Sequence, residues 1–128
     1  MGITIDWEGT DNKIICITYQ KPWNWGDFDA VFYSMIIMLD SASQTVDLVF
    51  DIRNGGFPPP GAVTRFKRVG EINHPNGGMI IFIGGSSAVM NFVNLFIKVY
   101  GRAFRPPNFI FVASPEEAHR LIYEQRSS

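Results

Sequence analysis

The 128-residue chain has a single cysteine, so Cys16 has no internal disulfide partner and a reducing compartment is the simplest setting. It has no run of 18 apolar residues, so no membrane-spanning helix is expected. The start, MGITIDWEGT, has no basic segment ahead of an apolar one, so no signal peptide is expected either. The chain is thus expected to be cytoplasmic. Histidine is scarce. His74 and His119 stand at no metal-ligand spacing to each other or to Cys16, and both read as surface residues. No metal and no cofactor is expected. No catalytic constellation is visible, so no catalytic residue is assigned and the chain is not expected to be an enzyme.

The rest of the composition supports a single packed domain over residues 1–128. Hydrophobic residues make up 46% and aromatics 14%, enough for a core without help from disulfides. The net charge of −1 hides a segregation. Residues 1–51 carry eight acids against Lys13 and Lys21, whereas residues 53–105 carry seven bases against Glu71 alone. Such a split either steers an anionic partner or favours self-association, unless folding intermixes the two segments. No nucleic-acid partner is expected.

Hydrophobic periods predict the elements. Residues 3–7 and 13–19 read as an antiparallel hairpin around the turn formers 8–12. A first helix spans about 25–42, with Phe28, Val31, Phe32, Met35, Ile36 and Leu39 on one face and Asn24 as N-cap. Residues 46–52 form an apolar strand. The stiff loop Asn54–Gly61, with three prolines, blocks helix until Pro60 or Gly61. A second helix is predicted over about 61–73 and a strand, buried on both faces, over 79–83. A third helix over 87–101 and a strand over 109–112 follow. The last helix has the clearest start, with Ser114 as N-cap, Pro115 at N1 and Glu117 completing a capping box.

This β-β-α-β-α-β-α-β-α order, with the ending FIFVASPEEAHRLI and the strand VDLVFDI, resembles the STAS domains of anti-sigma-factor antagonists and transporter tails. The resemblance implies an α/β STAS-like mixed sheet. It also implies a regulatory, protein-interaction role without chemistry of its own. The serine motif that a kinase phosphorylates in that family does not carry over. The corresponding stretch is Phe57-Pro58-Pro59-Pro60-Gly61, and the nearest hydroxyl is Thr64. The serine phosphoswitch is therefore not expected.

Two surfaces stand out as candidates. Gly84-Gly85-Ser86-Ser87 joins a strand end to a helix start, on the edge where Arg53 should lie. Arg53, Gly85, Ser86 and Ser87 could cradle a small anionic ligand, or the stretch is an ordinary strand-to-helix turn. That site supports the alternative role of a small-ligand sensor. The third helix is apolar around most of its circumference, with only Asn91, Asn94, Lys98 and Arg102 in a narrow polar arc. It is expected to mediate a homodimer or partner contact through Met90, Leu95 and Ile97, unless neighbouring helices bury the excess. Trp23 and Trp25 either line a pocket or plug the edge of the core.

Overall fold

The computed structural model describes residues 2–62, 64–65, 74–84, 87–100 and 109–127. Its five strands are β1 (Gly2–Trp7), β2 (Ile14–Gln20), β3 (Val46–Asn54), β4 (Gly77–Ile83) and β5 (Phe109–Val112). They form one mixed sheet in the order β1-β2-β3-β4-β5. β1 and β2 pair antiparallel, from Gly2 opposite Gln20 to Trp7 opposite Ile15. The pairs β2–β3, β3–β4 and β4–β5 are all parallel. The described helices are α1 (Trp25–Ser41), α2 (Ser87–Tyr100) and α3 (Pro115–Ser127).

The described order is therefore β-β-α-β-β-α-β-α, which corrects the expected STAS-like β-β-α-β-α-β-α-β-α layout. No helix is described between β3 and β4. Of the span expected as the second helix, only residues 62 and 64–65 are described as helical, and most of it lies outside the described residues. The three prolines precede that span and bear only on the loop after β3. Apolar periodicity shows that a segment buries one face, but many small α/β sheets share that pattern, so it does not fix a family.

Period-two alternation gives the sheet two buried faces. On one, Ile3, Ile15, Ile17, Val46 and Leu48 pack against Phe28, Met35 and Leu39 of α1. On the other, Val49, Ile81, Ile83 and Val112 pack against Ala118 and Ile122 of α3. Ile15, Leu39, Val46 and Ile81 are fully buried, each contributing about 1.5–3 kcal/mol by leaving water. β4 lies inside the sheet between β3 and β5, consistent with its unbroken apolar run.

The helix starts follow their capping residues. At α1, Asn24 Oδ1 accepts from the Asp27 N–H at 2.8 Å, and Asp27 Oδ2 accepts from the Asn24 N–H at 3.1 Å. At α3, Ser114 Oγ accepts from the Glu117 N–H at 3.2 Å. Glu117 returns to the N–H of Ala113, one residue ahead of the cap, at 3.1 Å. The far end of α3 is tied to the sheet by charge. Arg126 donates to Asp47 Oδ2 from Nε at 3.2 Å and from Nη2 at 2.9 Å. Asp47 Oδ1 also accepts from the Met79 N–H at 2.8 Å, so this buried carboxylate is satisfied on both oxygens. Such an approach needs glycine at position 78, where a Cβ would stand 2.3 Å from Asp47 Oδ1.

Both tryptophans anchor the proline loop. Trp23 Nε1 donates to the Gly55 carbonyl at 2.8 Å, and Trp25 Nε1 donates to the Pro60 carbonyl at 2.7 Å. Their rings meet edge to face at 5.3 Å. Arg65 lies 5.3 Å from the Trp25 ring centroid and pairs with Asp29 at 2.9 Å. Each indole thus has an apolar body against the core edge and its N–H on a loop carbonyl.

Candidate functional site

On the α3 side of the sheet, β2 presents Ile14, Cys16 and Thr18 and β3 presents Asp47, Val49 and Asp51. Thr18 and Asp51 put polar groups toward the carboxyl ends of the parallel strands, where ligands of open α/β sheets bind. There a crevice of about 100 Å³ opens between the strands and the first turns of α3. Cys16, Thr18, Asp51 and Ile83 form its floor, and Pro115 and His119 of α3 form one wall. Glu8 closes the other side from the turn after β1.

Glu8 joins the site together. Its position follows from the hairpin, since its N–H donates to the Ile14 carbonyl at 2.8 Å and extends the β1–β2 ladder by one step. Glu8 Oε1 accepts from the Cys16 thiol at 3.0 Å. Its Oε2 contacts His119 Nε2, linking α3 to the hairpin. Asp51 is held by Arg53, which donates from Nε at 2.9 Å, from Nη2 at 2.7 Å and from its backbone N–H at 3.2 Å.

The electrostatics follow from these contacts. The Cys16 thiol is pushed up from 9.0 to about 12, first by burial, then by its hydrogen bond to Glu8 and by the charges of Glu8, Asp51 and Asp6. It is a hydrogen-bond donor and not a thiolate at neutral pH. Asp51 is held below the usual carboxylate range, chiefly by the Arg53 guanidinium, against an opposing push from burial. Among the described residues, no three His, Cys, Asp or Glu side chains are arranged to hold a metal ion.

The sequence-predicted sites are only partly present. Arg53 sits beside the crevice with its fork on Asp51. Ser87 is exposed at the first residue of α2, whereas Gly85 and Ser86 lie outside the described residues. The crevice beside α3 is a different place, lined by the carboxylates of Glu8 and Asp51 and not by Arg53 or Ser87. The expected homodimer or partner contact through a third helix is also corrected. The helix over Ser87–Tyr100 is the second one described. Of the three expected contact residues, Leu95 is 61% exposed and Met90 is half-buried. The side chain of Ile97 lies outside the described residues. The physical reason is that an apolar circumference shows only that a helix has much to bury, not what buries it.

Sequence reasoning missed Glu8, taken as a turn residue. The hairpin register was the available signal, because it places Asp6, Glu8 and Cys16 on one face. His119 carries no such local signal. His74, also read as a surface residue, bridges two elements. Its Nδ1 accepts from the Asn76 N–H at 3.0 Å, which leaves Nε2 to donate to Asp40 at 2.7 Å. Asp47 serves as a structural anchor for α3.

No described helix is long and apolar enough to cross a membrane. The chain matches no family model, no curated protein and no solved structure, so neither the resemblance to anti-sigma-factor antagonists nor the regulatory role it implied is supported.

Proposed function

We propose that this domain binds a small cation in the crevice beside α3, such as an amine or the amine end of a larger molecule. The carrying observation is that Glu8 and Asp51 both line a crevice of about 100 Å³ at the carboxyl ends of the parallel strands. At about 100 Å³ the crevice is smaller than the pockets of about 300–1,000 Å³ that hold drug-sized ligands, which favours a small ligand. The ligand would displace His119 from the carboxylate of Glu8 and take the hydroxyl of Thr18, with Val49 and Ile83 against its apolar part. Binding without chemistry is the reading that fits the thiol. A nucleophilic cysteine needs a lowered pKa, whereas Cys16 is shifted the other way.

The test is an NMR titration of the protein with putrescine and, separately, with inorganic phosphate. Putrescine is expected to shift the amides of Cys16, Thr18, Asp51 and His119, and Glu8→Gln to remove the response. If phosphate moves these amides and putrescine does not, or if neither does up to about 10 mM, the reading is wrong.

A further inference from the structure

β1 is an edge strand whose outer side no described residue uses. It stands at the end of the sheet order and, among the described residues, pairs with β2 alone. The Glu8 N–H to Ile14 carbonyl bond sets the phase of the ladder. In an antiparallel pair, alternate residues exchange bonds with the partner, so Thr4, Asp6 and Glu8 bond to β2. The N–H and C=O groups of Ile3, Ile5 and Trp7 then point away from the sheet. None of the described hydrogen bonds uses them. Edge strands are usually guarded by lysine, proline or a bulge. β1, with the sequence GITIDW, has no lysine or proline, and its pairing with β2 has no register shift.

The strand is complementary to itself. Consider a second copy laid antiparallel with its two-fold axis at Ile5. Ile3 of each copy then stands opposite Trp7 of the other, and Ile5 opposite Ile5. All three free N–H and all three free C=O groups of each strand find partners, about six bonds in all. The side chains follow the same symmetry. Ile3, Ile5 and Trp7 share the apolar face packed with α1, so two such faces become continuous. On the opposite face the exposed Thr4 meets the exposed Asp6 of the other copy, a hydroxyl beside a carboxylate. Moving the axis to Asp6 sets two aspartates against each other, and moving it to Thr4 leaves Trp7 unpaired. Only one register satisfies both the backbone and the charges.

We propose that the outer edge of β1 is an interface for a second copy of this chain, joining two five-stranded sheets into one continuous sheet. The contact is separate from α2 and from the crevice beside α3. It predicts opposite outcomes for two substitutions at one exposed position. Thr4→Asp places a carboxylate at the close approach to Asp6, twice per dimer by symmetry. Thr4→Lys creates an opposite-charge pair at the same two places.

Sedimentation equilibrium from about 10 to 500 μM reads the dimer constant, and amide hydrogen exchange reads the edge directly. The expected result is a reversible dimer whose dissociation constant rises about threefold or more in Thr4→Asp and is unchanged or lower in Thr4→Lys. The amides of Ile3, Ile5 and Trp7 should gain protection as concentration rises, while those of Thr4 and Asp6 are protected throughout and report that each variant folds. A protein that stays monomeric across this range with those three amides unprotected overturns the proposal. So does a dimer that responds equally to both substitutions, since its interface then lies elsewhere.

Discussion

Replacing Glu8 with glutamine should make Cys16 more reactive, although the change removes no steric cover. At pH 8 a thiol of pKa 9.0 is about one-tenth thiolate, whereas one near 12 is thiolate in about one molecule in ten thousand. The deficit is about a thousandfold. A thiolate of higher pKa is also a better nucleophile, with a Brønsted coefficient of about 0.4–0.5, which returns part of that factor. The native thiol should therefore alkylate roughly fortyfold more slowly than the same thiol in the denatured chain, before any loss of access. Burial is the largest cause of the shift and survives the substitution, while Glu8 supplies the next two. Removing those two causes lowers the thiol pKa, so Glu8→Gln should label roughly severalfold faster. Asp6→Asn should give the smallest gain, because Asp6 is the weakest cause. The assay is iodoacetamide labelling followed by mass spectrometry from pH 7 to 11. The native rate should climb about tenfold per pH unit through pH 10 without a plateau. A plateau near pH 9 in the native protein, unchanged in Glu8→Gln, would refute the argument that Glu8 holds the thiol protonated.

Two further substitutions probe the anchor beneath α3. Gly78→Ala drives a Cβ to 2.3 Å from Asp47 Oδ1 and should cost about 2–3 kcal/mol in urea unfolding, because Asp47 cannot retreat without losing Arg126 or Met79. Arg126→Met leaves the buried Asp47 with one partner fewer and should cost about 2 kcal/mol in the same assay, less than a fully buried pair would, because Arg126 is one-third exposed.

Periodicity, capping and turn chemistry are properties of neighbouring residues, and the sequence determined by itself what depends on them. The Asn24 and Ser114 caps, the hairpin of β1 and β2, the apolar face of α1 and the interior place of β4 all rest on contacts within a few residues or on the length of an apolar run. The family resemblance failed because the same periods suit many small sheets. The site itself was decided by tertiary structure. Glu8 meets His119 across 111 positions, and Asp47 meets Arg126 across 79. Each of those side chains reads alone as a solvated surface group or a strand residue. Packing α3 across β4 and β5 brings them together, because its buried Ala118 and Ile122 fix the rotation that turns His119 toward the hairpin and Arg126 toward Asp47. A helix chooses that rotation only when the sheet beneath it exists, so the chemistry of the crevice is a consequence of burial elsewhere.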